Sequence, residues 1–135
     1  MIDTNVISAI WTNEPRAAKP ESLLMDAYES GPIILCPIIY SELLCHPAIQ
    51  PATVEELLRG AGVQIDFDLD RAIWRDAGIR HRVYAERRKR SRLTTQRRPV
   101  ADFLVGAHAL ARADRLISFN SADFRRDFPE LEILP

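Results

Sequence analysis

The chain is short of the residues that build the commonest small-protein devices. It has only two cysteines, Cys36 and Cys45, nine residues apart and in no Cys-x-x-Cys pattern. They read as small buried thiols, which excludes a disulfide scaffold or a zinc ribbon as the organising principle. Histidine is almost as scarce. His46, His81 and His108 form no His-Glu-x-x-His or His/Cys spacing, so zinc chemistry is disfavoured, and His108 is expected to be packed or surface-exposed. No apolar run approaches the roughly 18 residues of a membrane span. The start, Met1-Ile2-Asp3-Thr4-Asn5, lacks the basic and apolar regions of a signal peptide, so the cytoplasm is the expected location. There is no GxxxxGK or GxGxxG phosphate loop, no internal repeat and no low-complexity linker.

What remains is 135 residues, 47% hydrophobic and 27% charged, read as one domain over residues 1–135 with a core of its own. Net charge is only −1, but it is unevenly spread. Arg87, Arg88, Lys89, Arg90, Arg92, Arg97 and Arg98 fall within one stretch without an acid. Taking those seven charges from −1 leaves −8 on the rest. A mildly acidic body with one basic segment suits a docked polyanion, although a solvated helix end has the same composition.

Short apolar runs alternate with amphipathic ones. Met1–Asp3 reads as the end of a first strand and Glu21–Ser30 as a helix, with Leu23, Leu24, Ala27 and Tyr28 on one face and Gly31-Pro32 stopping it. Ile33–Cys36 reads as a buried strand, and Pro37 opens a helix that carries Glu42. Thr53–Arg59 is a short helix and Val63–Phe67 a strand. A long helix capped by Asp68 or Asp70 follows, with Ile73, Trp74, Ala77 and Tyr84 inward. Pro99 restarts a helix with an apolar stripe through Phe103, Leu104, Ala107, Leu110 and Ala111. Leu116–Phe119 is a strand, Ala122–Asp127 one helical turn and Leu131–Leu134 a last strand. The pattern predicts a three-layer α/β/α domain with a mainly parallel sheet. Only two residues precede Asp3, so either the first strand is unusually short or its upstream part is missing.

Acidic residues stand where the apolar runs end: Asp3 after Met1-Ile2, Glu42 after the run from Ile33 to Ile39, and Asp102 at the head of a helix. Asn120 and Asp123 follow Leu116–Phe119. If the runs are neighbouring parallel strands, these groups converge at one sheet edge, where open α/β sheets bind ligands. Two carboxylates about 4 Å apart repel by about 4 kcal/mol at an effective dielectric near 20, so such a cluster usually holds a cation. Oxygen donors alone suit Mg²⁺ or Mn²⁺. Taken singly, Asp3 and Asp102 could also be plain helix caps.

Four blocks together carry a resemblance: Met1-Ile2-Asp3-Thr4-Asn5-Val6-Ile7, Tyr40-Ser41-Glu42-Leu43, the run Ala101-Asp102-Phe103-Leu104-Val105-Gly106-Ala107-His108-Ala109, and Leu116 to Phe124. In order and spacing the chain resembles PIN-domain ribonucleases, in particular VapC-type toxins of toxin–antitoxin pairs. The resemblance implies metal-binding, catalytic carboxylates at Asp3, Glu42 and Asp102, with Thr4, Asn5 and Ser118 as supporting groups. It implies a Mg²⁺- or Mn²⁺-dependent endoribonuclease leaving 5′-phosphate and 3′-hydroxyl ends. The basic segment would hold the RNA backbone. A cognate antitoxin and a homodimer are the implied partners, with Ile10, Trp11, Leu23 and Leu24 as groove-lining candidates. The chain departs from the family pattern at the fourth acidic position, where Asn120 stands. Either Asn120 supplies a neutral oxygen or Asp123 swings in. The alternatives are a catalytically impaired PIN-like RNA-binding module and a small-molecule phosphohydrolase. Against the latter, Asp3-Thr4-Asn5 lacks a second Asp.

Overall fold

The computed structural model describes residues 1–12, 14, 18–47, 49–91 and 97–134. Its elements alternate as expected, with one addition at the start. Helix α1 (Thr4–Trp11) follows Asp3 directly, and the Asp3 side chain caps it by accepting the Thr4 N–H at 2.8 Å. Val6, Ile7 and Ala9 bury its inner face. Helix α2 (Ala18–Ser30) begins three residues before its expected start, and strand β1 (Ile33–Leu35) follows the Gly31 turn. Helix α3 (Pro37–Leu44) has Pro37 in its first turn, where the missing N–H costs nothing. Helix α4 (Pro51–Gly60) leads through Gly62 into strand β2 (Val63–Ile65). Gly62 has φ +65°, a backbone conformation that favours glycine, and a Cβ there would come within 2.7 Å of the exposed Tyr28 ring.

Helix α5 (Arg71–Ser91) is capped by Asp70, whose Oδ1 accepts from the N–H groups of Ala72 at 2.7 Å and Ile73 at 3.1 Å. Ile73, Ala77 and Tyr84 point inward as the spacing predicts. Trp74 does not: it is 51% exposed, and its indole N–H donates to the Leu69 carbonyl at 3.1 Å. That polar tip is satisfied at the helix entrance, so the ring need not enter the core. Helix α6 (Val100–Arg112) packs along α5 and is buried continuously from Phe103 to Ala109. Strand β3 (Arg115–Ile117), helix α7 (Ser121–Asp127) and strand β4 (Glu132–Leu134) complete the chain.

Among the described residues every strand pairing is parallel. β1 runs beside β2 with Ile33 opposite Val63, and β3 beside β4 with Arg115 opposite Glu132. Ile2 forms a parallel bridge to Ile117, fastened by Asp3 N–H to Ile117 O and Ile117 N–H to Met1 O, each 3.0 Å. The expected sheet is therefore present as two short ladders among the described residues, the first strand contributing only the bridge at Ile2. One cluster of buried side chains underlies both, including Leu35, Ile39, Phe103, Leu116 and Phe128. Asp3, Cys36, Asp66 and Ser118 all stand just past carboxyl ends of paired segments, Asp3 and Ser118 in one ladder and Cys36 and Asp66 in the other.

The two thiols differ. Cys36 is buried, whereas Cys45, expected to be buried as well, is exposed past the end of α3. Burial pushes the Cys36 thiol up to about 11, against the opposing N–H groups of Ile38 and Ile39. His108 is fully buried on α6, and its Nε2 donates to Asp66 Oδ2 at 3.1 Å.

Candidate functional site

Asp3 sits where the Ile2 bridge ends and α1 begins, so one carboxylate serves as helix cap and as the centre of a polar knot. Its Oδ2 accepts from Ser118 Oγ at 2.5 Å and from Asn5 Nδ2 at 2.9 Å. Asn5 Oδ1 in turn accepts the Phe119 N–H at 3.2 Å, and Ser118 Oγ accepts the Asn120 N–H at 3.0 Å. Asn5 and Ser118 thus tie the α1 entrance to the loop after β3, as supporting groups should. Thr4 points the other way and donates its hydroxyl to Glu42 Oε2.

The Asp3 carboxyl is raised above its ordinary value, first by burial and further by the charges of Asp102 and Glu42. The hydrogen bonds from Ser118 and the Thr4 N–H only partly offset this. Asp3 therefore feels both other expected carboxylates through space, although the three come from separate blocks of sequence. Neutral donors surround Asp3, a setting that leaves its ionised form undercompensated.

Asp102 and Asp123 are held differently. Arg98, one turn before Asp102, donates Nε to Asp102 Oδ2 at 2.9 Å. Asp123 is bound by Arg126 three residues on. Asn120 is the exposed N-cap of α7, and its side chain makes no capping bond. Among the described residues, no three His, Cys, Asp or Glu side chains are gathered tightly enough to hold a metal ion as they stand. The donor set still fits a hard cation in kind: it is all oxygen, and Asp3 feels two further carboxylates without a cationic partner.

The basic segment divides. Arg98 is 10% exposed and reaches inward, its guanidinium 4.9 Å from the Phe103 ring centre and 5.1 Å from that of Phe124. Its Nη1 donates to Asp127 Oδ2 at 2.6 Å, while Arg87 Nη2 donates to Asp127 Oδ1 at 2.6 Å. Arg88, Lys89 and Arg97 line one cleft, and Arg90 borders another with Arg87 and Val83. Arg92 lies outside the described residues. Asp127 is the residue that sequence reading missed. Its signal was a carboxylate between Phe124 and Phe128, two large apolar residues one turn apart.

The groove candidates do not form one surface. Trp11 lines a small cleft with Thr4, Glu42 and Ile49, whereas Leu24 lines another with Ala27, Pro32 and Leu110. Ile10 packs against the core, and the Leu23 side chain lies outside the described residues.

A family model described as PIN domain matches residues 1–128. No curated protein matches the sequence. Among solved structures, the 2.2 Å structure of VapBC-1 from nontypeable Haemophilus influenzae superposes with a TM-score of 0.63. It is 17% identical, and the match covers 99% of this chain and 95% of that one, which shows a shared fold.

Proposed function

The chain belongs to the PIN-domain family, and from that premise we propose that it is a metal-dependent endoribonuclease, the toxin of a toxin–antitoxin pair. The observation that carries the reading is the electrostatic state of Asp3: a partly buried carboxyl, ringed by neutral donors, that feels Asp102 and Glu42. Asp3, Glu42 and Asp102 would hold Mg²⁺ or Mn²⁺, with Asn120 or Asp123 completing the set. A bound cation supplies acidification of water and neutralisation of charge developing on the phosphoryl oxygens. The protein's own contribution is positional. Ser118 and Asn5 fix one oxygen of Asp3, and Arg98 fixes one oxygen of Asp102, leaving the other oxygen of Asp102 uncommitted to Arg98. Thr4 orients Glu42. The basic stretch from Arg87 to Arg98 would hold RNA beside these groups.

The VapBC-1 likeness supports an antitoxin as the partner of this chain, and the clefts beside Trp11 and Leu24 offer it apolar footholds. Assembly as a homodimer and a cytoplasmic location complete the reading. Among the described residues no helix is long and apolar enough to cross a membrane.

One observation favours a second reading, a PIN-like RNA-binding module without turnover. Asn120 replaces an acid, while Asp102 and Asp123 are each already bound by an arginine. The deciding experiment incubates total cellular RNA with the purified protein in Mg²⁺, Mn²⁺ or EDTA, beside the Asp102→Asn variant. Discrete fragments that need metal and vanish in the variant support the nuclease. RNA bound but intact in every lane favours the module, and undiminished cleavage by Asp102→Asn removes Asp102 from the site.

A further inference from the structure

Helix α7 buries one carboxylate. The Asp127 side chain is 3% exposed, and its two oxygens accept from Arg98 Nη1 and Arg87 Nη2, each at 2.6 Å. Arg126 Nε lies 3.9 Å from the oxygen that Arg87 holds. Well-packed apolar side chains would join α7 to its neighbours at a lower desolvation cost, so cohesion alone does not call for these charges. What a guanidinium adds is direction. The same Arg98 group that Nη1 fastens to Asp127 donates Nε to Asp102 Oδ2 at 2.9 Å. Its surroundings hold it in place. The ring centres of Phe103 and Phe124 lie 4.9 and 5.1 Å away, and the Asp123 carbonyl is 3.4 Å from Nη1. The Arg98 backbone N–H donates to the Tyr84 hydroxyl at 2.9 Å.

We propose that Asp127 is a positioning residue for the acidic site, acting through Arg98 to hold the guanidinium to a single oxygen of Asp102. The proposal rests on the metal-dependent reading above for what the other oxygen of Asp102 meets. An arginine left alone beside a carboxylate takes both oxygens in a fork. Here Arg98 reaches Asp102 by Nε alone, because Nη1 is drawn to Asp127. Asp127 thereby keeps Asp102 Oδ1 clear of the guanidinium and offsets the Arg98 charge that stands beside it. Groups hydrogen-bonded to a metal-binding carboxylate set its direction in this way. Without Asp127, Arg98 is free to close on both oxygens of Asp102 and compete with a cation for them. Helix α7 thus serves the site from a residue that touches none of Asp3, Glu42 and Asp102 directly.

The test is calorimetric titration of the whole chain with Mn²⁺, without RNA, so that no turnover enters the measurement. Asp127→Ala should bind Mn²⁺ about ten-fold more weakly than the parent, the scale expected for a group that orients a metal-binding carboxylate. Arg98→Met provides the background for a double-variant cycle. There Asp127→Ala should change the affinity by less than about two-fold, because the route to Asp102 is gone. A residue that only braced the fold would lower the melting temperature in EDTA and leave the Mn²⁺ affinity of the folded protein unchanged. Arg98→Lys keeps the charge but replaces two separated donors by one ammonium, and it should also lose about ten-fold. It decides the matter if Asp127→Ala does not fold. Parent-like affinity in folded Asp127→Ala or in Arg98→Lys overturns the proposal. So does an equal loss in both backgrounds, which would make Asp127 a distant charge and nothing more. A parent that binds no Mn²⁺ removes the metal-dependent reading itself, whereas parent binding with an uncoupled cycle removes only the role of Asp127.

Discussion

Arg98 Nη1 lies 2.6 Å from Oδ2 of Asp127, and side-chain exposures of 10% and 3% place this ion pair inside the protein. The pair joins the loop before α6 to the last turn of α7, and Arg98 extends it to Asp102 through Nε. Arg87 occupies the other Asp127 oxygen at 2.6 Å and Arg126 Nε approaches the same oxygen at 3.9 Å, so one buried carboxylate answers three guanidinium groups. Two flanking aromatic rings add to the attraction. Arg98 Nη2 is buried and has no hydrogen-bond partner among the described residues.

Removing Asp127 should therefore be costly. Asp127→Ala leaves Arg98 buried with only Asp102 to balance it, and breaking a buried pair from one side typically costs about 3–5 kcal/mol. Urea unfolding should show a loss of about 3 kcal/mol, the low end because Arg87 is partly solvated. A loss below about 1 kcal/mol would mean that the network contributes little.

Gly106 gives a second test, on packing alone. A Cβ there would stand 2.2 Å from Cε2 of Phe128, a ring with no exposure. Gly106→Ala gains about 1 kcal/mol of helix propensity yet should lose about 1–3 kcal/mol net through overpacking. Combining it with Phe128→Leu should recover part of the loss. A Gly106→Ala variant as stable as the parent would show that α6 and the Phe128 ring shift apart easily.

The helices and strands were legible because each apolar run is bounded by a strong local signal: Gly31-Pro32, Pro37, Gly62, Asp70 and Pro99. Helix α1 is less legible because Asp3 reads equally as a metal ligand and as a helix cap; in the fold that carboxylate caps α1, whose Val6, Ile7 and Ala9 are buried. Trp74 was placed inside by periodicity, which cannot see that Leu69 O satisfies its indole at the surface. The candidate carboxylates could be found from their positions at strand ends. Their counter-cations could not. Arg98 reads as one more charge in a basic run, and only tertiary contact shows it committed to Asp102 and Asp127.

The two cysteines should be separable by reactivity. With its thiol pushed up to about 11 by burial, Cys36 holds only roughly one part in a thousand as thiolate at pH 8 and is sterically covered as well. Cys45 is exposed. Native protein should release one equivalent of thionitrobenzoate promptly from Ellman's reagent and a second only in denaturant. Cys45→Ser should abolish the prompt phase. Two prompt equivalents would show that α3 opens readily at its first turn.

Asp3 gives the sharpest link between stability and function. Its carboxyl is raised above the ordinary 3.8, chiefly by burial, so the fold disfavours the ionised form. The sign follows from linkage: below pH 3.8 Asp3 is protonated whether folded or unfolded and contributes nothing. As pH rises through the folded value, its ionisation progressively destabilises the native state. Asp66 and Asp70 behave oppositely. Backbone N–H groups lower both, so their contribution is present above 3.8 and lost as pH falls through the folded values. Asp3→Asn removes the first effect and leaves the second. In EDTA the variant should melt above the parent at pH 7–8, with the difference shrinking toward zero near pH 4. Divalent cation should reverse the order, because binding at ten times Kd stabilises the parent by about 1.4 kcal/mol and should do little for the variant. A variant that melts lower at pH 8 in EDTA would mean that the Ser118 and Asn5 hydrogen bonds outweigh burial. A parent whose melting ignores Mg²⁺ and Mn²⁺ would argue against Asp3 as a metal ligand.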